Sequence, residues 1–336
     1  MRTGAVIVTY NSAGHIGPCL DSCLAHAPSL TGGIVVVDNC SSDATLDEVR
    51  SRPGVTLIAN PFNAGFAAAV NQGFAALPAA EAVLLLNPDT QLISPPSVLW
   101  HELENAPRAA AAAGLLLSPS GAPQLGFQFR RLPTPAALIF ETLGLNRLCP
   151  SNPINRRYRA LDLDPALPAE NIQPPGACLL IRRAAWQQLR GFDEGFHPLW
   201  FEDVDFVKRL LDSGWRVLYV PAFRAVHCGG HSIARLRTAS RQLYWYNSLL
   251  RYACLHFGTA GRVLTCWAVM LRILPRAVTG MLLERSGQSI SAYGRLVRLA
   301  VTCLWGGASS TCSPGMASRA SLSVCEPAGT QKRSGL

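Results

Sequence analysis

Several absences narrow the field before any motif is read. No stretch approaches the roughly 20 apolar residues that a membrane-crossing helix needs. The most apolar run, Val263 to Leu274, is about twelve residues long, contains Arg272 and meets Pro275, so it is expected to lie on a bilayer and not to cross it. The eleven cysteines stand singly, with no Cys-x-x-Cys pair and no Cys/His spacing of a zinc module. A reducing, cytoplasmic compartment is expected, with the thiols acting mostly as small hydrophobes. The chain enters an apolar run at Gly4 without a basic leader or a small-residue cleavage site. Neither Gly-x-Gly-x-x-Gly after the first strand-like run nor Gly-Lys-Ser/Thr occurs, which excludes a dinucleotide fingerprint and a P-loop.

Acidic residues are nearly missing from one region. Residues 1–230 carry 17 basic and 19 acidic side chains, whereas 231–301 carry ten arginines against Glu284 alone. The formal charge of +9 therefore belongs to the last third. There the arginines alternate with Leu, Trp, Val and Met, a pattern that suits an anionic membrane surface better than a nucleic-acid groove. Arg251, Arg262, Arg272 and Arg276 among Leu250, Leu255, Trp267 and Leu271 carry that expectation.

With 49% hydrophobic residues over 336 positions, the chain can bury a large core. The first hundred residues alternate short β-branched runs with helical patterns, which predicts a mostly parallel α/β sheet. Strands are predicted at Ala5–Thr9, Ile34–Val37, Val55–Ala59 and Ala82–Leu86, with a helix over 65–76. Later strands are predicted at 176–181 and 215–220, and helices from Thr238 to about Leu299. Residues 118–175, rich in Pro, Arg and Asn, read as a variable region of loops, and the tail after Gly306 as disordered. Polar groups recur where strands end, at Thr9-Tyr10-Asn11, Asp38-Asn39 and Asn87-Pro88-Asp89. In open α/β sheets this carboxyl edge is where ligands bind.

Taken singly, the reactive residues have plain structural readings. Asn87-Pro88-Asp89 is an ordinary turn sequence, yet a carboxylate delivered there by a buried strand can ligate Mg²⁺ or Mn²⁺ that bridges phosphates. His227 precedes Cys228-Gly229-Gly230 and can be a structural histidine or a metal ligand, with His231 as a competitor. Glu202, Asp203 and Asp205 open a helix and can serve as caps. Three carboxylates in four residues exceed what capping needs, and one can be a general base with a raised pKa. Gly65 opens a helix flanked by Asn63 and Asn71, which suits either an anion at its N-terminus or tight helix–sheet packing.

In this order, the segments VIVTYNS (6–12), VVVDNCSSD (35–43), NAGFAAAVNQG (63–73), LLLNPDT (84–90), GACLLIRR (176–183), WFEDVDF (200–206) and VHCGGHS (226–232) resemble the family 2 glycosyltransferases, especially their rhamnosyltransferase-like branch. The resemblance implies a GT-A fold: a Rossmann-like, mostly parallel central sheet flanked by helices, with a C-terminal helical appendage. The implied boundaries are 1–237 for the catalytic domain, divided at 117/118 into nucleotide-binding and acceptor-binding halves, then 238–301 for basic amphipathic helices and 302–336 for the tail. Thr9 and Asn11 would line the nucleotide pocket and Asp38 would accept from the base, with Asn63, Gly65 and Asn71 flanking the nucleotide sugar. Asn87 and Asp89 stand where the family often has Asp-x-Asp. Asp89 and His227 would hold Mn²⁺ or Mg²⁺, Asp203 would be the base, and Glu202 would orient it or touch the acceptor.

The implied reaction is single-displacement, inverting transfer of a sugar, with rhamnose favoured, from a nucleotide-diphosphate donor to a hydroxyl of a glycan or lipid-linked acceptor in cell-surface polysaccharide synthesis. No nucleic-acid partner is implied, and the expected location is the inner face of the plasma membrane. A sugar nucleotidyltransferase is disfavoured because VTYNSAGH lacks a basic first loop. A non-catalytic relative in an assembly complex is disfavoured because Asp89, Asp203 and His227 are all retained.

Overall fold

A computed structural model describes residues 1–229, 238–283 and 287–305. Its first half follows the sequence pattern closely. Strand β1 (Thr3–Thr9) leads to helix α1 (Ala13–Ala25), β2 (Gly33–Asp38) to α2 (Thr45–Arg50), and β3 (Val55–Ala59) to α3 (Phe66–Ala75). Then come β4 (Ala82–Leu86), a short β5 (Thr90–Leu92), α4 (Ser97–Asn105) and β6 (Ala109–Leu117). The second half holds α5 (Pro135–Leu143), α6 (Leu145–Leu148), α7 (Pro153–Tyr158), β7 (Ala169–Glu170), β8 (Cys178–Arg182), α8 (Arg183–Leu189), α9 (Glu202–Asp212) and β9 (Arg216–His227). Helices α10 (Thr238–His256), α11 (Thr259–Leu283) and α12 (Gly287–Leu304) complete the described residues.

The strands form one sheet in the order β3-β2-β1-β4-β8-β6-β9-β5, with β7 beside β9. Pairing is parallel from β3 through β4, but β8 runs against both β4 and β6, and β5 against β9. The expectation of a mostly parallel sheet thus holds for the first four strands, and the whole sheet is mixed. Both faces are covered, so the middle of β1 is apolar on each side: Val6 and Val8 join one core with α3, α8 and α9, while Ala5 and Ile7 join another with α1 and α4.

Strand β6 went unrecognised in the sequence because Ala109–Ala113 reads as helix-forming. Here these alanines are buried in the sheet, at most 2% exposed, and tertiary pairing overrides a propensity worth only tenths of a kcal/mol per residue.

The C-terminal helices form the expected appendage and pack against the preceding residues. Their core joins Leu249, Leu250, Tyr252 and Val269 to Phe196 and Phe201 of the segment before α9, and to Leu138 of α5. Leu250 is fully buried and Arg251 is bidentate to Asp193 at 2.7–3.1 Å, so neither faces outward. The exposed residues of α11 include Leu264, Trp267 and Leu271. Among the described residues no helix is long and apolar enough to cross a membrane. The side chain of Arg276, His231 and the tail lie outside the described residues.

Helix α3 approaches β1 through Gly73, where a Cβ would stand 2.4 Å from the Val6 Cγ1. Gly73→Ala gains about 1 kcal/mol of helix propensity and meets overpacking of about 1–3 kcal/mol against a fully buried valine. Net destabilisation is expected, measurable as a lower urea midpoint at unchanged slope.

Candidate active site

The carboxyl ends of β1, β2 and β3 are tied into one edge by short polar side chains. Thr9 Oγ1 donates to Asp38 Oδ1 at 2.8 Å, and Ser41 N donates to Asp38 Oδ2 at 2.8 Å. Asn11, in the left-handed region at φ 52°, accepts from Ser42 N at 2.8 Å through Oδ1, and its own N–H donates to Ser41 Oγ at 2.8 Å. Asn39 reaches across to the helix start, donating through Nδ2 to Gly65 O at 3.1 Å. Thr9 and Asp38 are almost fully buried, so both shape the loop from beneath, while Asn11 lies nearer its surface.

Gly65 has a reason to be glycine. Its φ is +88°, and a Cβ would meet the His197 ring at 2.8 Å and Pro198 O at 3.3 Å. The next residue, Phe66, donates its N–H to Pro198 O at 2.8 Å, so the nucleotide half touches the segment that leads to Glu202. Asn63 caps this turn by accepting from Gly65 N at 3.0 Å. Asn71 is engaged by the chain itself: its amide exchanges two hydrogen bonds with the Phe192 backbone and donates to Glu194, which ties it to the 192–194 loop.

Asp89 and His227, far apart in sequence, meet because β5 pairs antiparallel with β9 and sets Thr90 opposite His227. Asp89 Oδ1 lies 3.5 Å from His227 Nε2, and Asp89 Oδ2 accepts from Gly229 N at 2.9 Å. Gln124 decides which imidazole nitrogen faces the carboxylate. Its Nε2 donates to His227 O at 2.7 Å, which aims its Oε1 at Nδ1, 3.0 Å away. Nδ1 must then carry the proton, and the neutral ring offers its Nε2 lone pair toward Asp89. Phe127 stacks on the ring at 5.1 Å and 4°. Burial holds the His227 pKa below its ordinary value, partly opposed by Asp89.

Two adjacent residues connect this pair to the acidic pair. Asn87 N–H and Thr90 Oγ1 donate to Ala177 O at 2.9 and 3.1 Å, and Gly176 N–H donates to Asp203 Oδ2 at 2.9 Å. Capping does not explain the acidic triplet: the N-cap of α9 is Phe201, with no side-chain cap. Asp203 Oδ1 accepts from Val204 N at 2.8 Å, while Asp205 binds Arg209 and, at 2.7 Å, His256 of α10. Glu202 is 6% exposed and its Oε2 has no partner. Burial, reinforced by Asp203 and Asp205, holds the Glu202 carboxyl well above its ordinary range. Burial raises Asp203 too, against the hydrogen bonds from Gly176 and Val204 and the charge of Arg130.

The turn before this pair is strained. Trp200 and Phe201 both sit at positive φ, 76° and 69°, at a cost of about 1–2 kcal/mol each. Helix α10 holds them there: Trp245 packs on both rings at 5.5 and 5.2 Å, Tyr252 on Phe201 at 5.5 Å, and Ser248 Oγ donates to Leu199 O at 3.0 Å.

Residues 5–113 match the family model described as Glycosyl transferase family 2. The N-acetylglucosaminyl-diphospho-decaprenol L-rhamnosyltransferase of Mycobacterium tuberculosis is 33% identical over 244 residues, spanning 68% of this chain and 77% of its own. The chain belongs to glycosyltransferase family 2. Rhamnosyltransferase WbbL of Escherichia coli is 39% identical over a shorter stretch of 56 residues, 17% of this chain and 21% of that one. Among solved structures, the mannosyltransferase PcManGT of Pyrobaculum calidifontis, in complex with GDP-Man and Mn²⁺, superposes with a TM-score of 0.50 at 18% identity, covering 90% of this chain and 87% of that one. That likeness supports the GT-A fold of this family 2 member.

Sequence reasoning missed Gln124, Phe127 and the α10 residues. Gln124 and Phe127 lie in the loop-rich 118–175 stretch, and Gln124 meets its partner 103 residues away, so no local periodicity marks them.

Replacing Glu202 by Gln tests the electrostatics. A carboxyl whose folded pKa lies above its ordinary value of 4.5 contributes stability that is complete at low pH and declines as pH rises through the raised value. Melting temperatures from pH 5 to 8 are expected to favour Glu202→Gln by a margin that widens with pH. Parallel melting curves for the two proteins would show that the buried carboxyl carries no such cost.

Proposed function

We propose that this family 2 enzyme transfers a sugar, with rhamnose favoured, from a nucleotide-diphosphate donor to a hydroxyl of a lipid-linked glycan acceptor with inversion, in cell-surface polysaccharide synthesis. The observation that carries the reading is the joint at Gly176–Ala177, which sets the Asp89–His227 pair and the Glu202–Asp203 pair on either side of one strand end at the sheet's carboxyl edge. The relative from Mycobacterium tuberculosis, named for a diphospho-decaprenol-linked N-acetylglucosamine acceptor, supports the substrate classes.

Asp203 is the general base. Both its oxygens are oriented by backbone N–H groups, and its raised pKa suits proton removal from a sugar hydroxyl. Glu202, buried and held toward its protonated form, keeps a second negative charge away from the base at rest. The nucleotide lies along the edge built by Thr9, Asn11, Asp38, Asn63 and Gly65, with Asn87 beside it; Asn71 supports this edge indirectly.

Asp89 Oδ1 and the His227 Nε2 lone pair face each other without a proton between them, an arrangement suited to a cation. Among the described residues no group of three or more His, Cys, Asp or Glu side chains can hold a metal. Mg²⁺ and Mn²⁺ at phosphate sites nevertheless take only one or two protein ligands. When bound, such an ion neutralises charge on the departing diphosphate. Asn87 in place of a second carboxylate makes this a weaker site than the two-carboxylate form.

The basic face of α10–α12 docks on the inner surface of the plasma membrane, through Leu264, Trp267 and Leu271, which are 57%, 53% and 62% exposed, with arginines as the anion-seeking groups. Pelleting with anionic vesicles is expected to be salt-sensitive and to fall severalfold in Trp267→Glu/Leu271→Glu. Full-length protein that ignores such vesicles would rule this surface out.

A screen of nucleotide sugars with Mn²⁺ or Mg²⁺ tests the chemistry. Turnover is expected to fall about 10²–10⁴-fold in Asp203→Asn, and Mn²⁺ affinity by calorimetry about 10–100-fold in Gln124→Leu, which removes the restraint on His227. Asp203→Asn and Asp89→Ala variants as active as wild type would refute the mechanism.

A further inference from the structure

Arg130 has the features of a ligand-binding cation. Its Nε donates to Gly126 O at 2.8 Å, its guanidinium lies 5.7 Å from the Tyr158 ring centroid, and its backbone pairs in both directions with Gln173 at 2.9 and 2.7 Å. The side chain is therefore anchored, yet its two terminal amino groups have no hydrogen-bond or ion-pair partner among the described residues. Neighbouring arginines differ: Arg131 is bidentate to Asp162, Arg159 meets Glu141, and Arg182 and Arg183 donate to backbone carbonyls. Two residues upstream, Gln128 is 1% exposed with neither amide atom paired. Buried amides are ordinarily satisfied, so this stretch carries unused polar capacity.

The location identifies the anion. Gln173 pairs with Arg130, and three residues later Gly176 N–H binds Asp203, so the cation stands at the base end of the site. The charge of Arg130 is felt by Asp203, as noted above. In an inverting displacement the nucleophile enters opposite the leaving group, so the base and the Asp89–His227 pair mark opposite ends of the reacting axis. A cation at the base end faces the acceptor, and the donor's diphosphate is held at the other end.

We propose that Arg130 binds a phosphate of the acceptor's diphosphate linkage, placing the acceptor hydroxyl against Asp203. This rests on the reading of Asp203 as the base. An arginine suits the role because its planar fork matches phosphate oxygens and is pre-organised here by Gly126 and Tyr158.

The test compares two acceptors in wild type, Arg130→Gln and Arg130→Lys: N-acetylglucosamine joined through a diphosphate to a short prenyl chain, and its uncharged octyl glycoside. In Arg130→Gln the ratio of kcat/KM between the charged and uncharged acceptors is expected to fall about tenfold or more, with Arg130→Lys recovering part of it. Calorimetric affinity for the prenyl-diphosphate compound, measured without metal or donor, is expected to fall by the same factor. An equal loss on both acceptors, a rise confined to the donor KM, or wild-type protein that does not bind the diphosphate compound would each overturn the proposal. Failure of the base assignment reads out separately, as donor turnover that survives Asp203→Asn.

Discussion

At the start of β8, two consecutive residues bind in opposite directions: Gly176 gives its N–H to Asp203, and Ala177 gives its carbonyl to Asn87 and Thr90. The site depends on this joint. β8 is the antiparallel strand inserted between the parallel half and β6, so its beginning coincides with the end of β4. The turn that delivers Asp89 and the helix start that delivers Asp203 are thereby fixed to one short piece of backbone. Space does not demand a glycine at Gly176, since a Cβ there would lie in ordinary contact, 3.6 Å from Leu85 Cδ2 and 3.7 Å from the Asp203 Cβ.

Around that joint the protein keeps its charged groups under opposing influences. His227 is held toward its neutral form by burial and in one tautomer by Gln124, while Glu202 is pushed toward protonation by burial and by its acidic neighbours, and Asp203 by burial. Such arrangements cost stability, and they persist because large apolar cores on both faces of the sheet and a third under α10 hold them in place. The third core has a direct connection to the chemistry. Trp245, Ser248 and Tyr252 keep Trp200 and Phe201 in left-handed conformations, and the following residue is Glu202. The C-terminal helices therefore shape the acidic pair through the turn that precedes it.

Much of the nucleotide half was legible in the sequence. The buried strands β1 and β2 read as runs rich in Val and Ile, and β3 and β4 fall where the pattern placed them. Thr9, Asn11, Asp38, Asn63 and Gly65 announce themselves because each acts on residues close to a strand end. Asn71, six residues into α3, has its amide engaged by the Phe192 backbone.

The sequence by itself determined the α/β class, the parallel first half and the identity of the acidic and histidine groups, because these follow from local periodicity and from strand ends that one chain segment can specify. Only the tertiary structure decided that β6 is an alanine-rich strand, that Gln124 and Phe127 orient His227, that the charge of Arg130 is felt at Asp203, and that α10 secures the strained turn. Those contacts join segments separated by tens to more than a hundred residues, where geometry is set by sheet pairing and core packing and leaves no periodic trace in the chain.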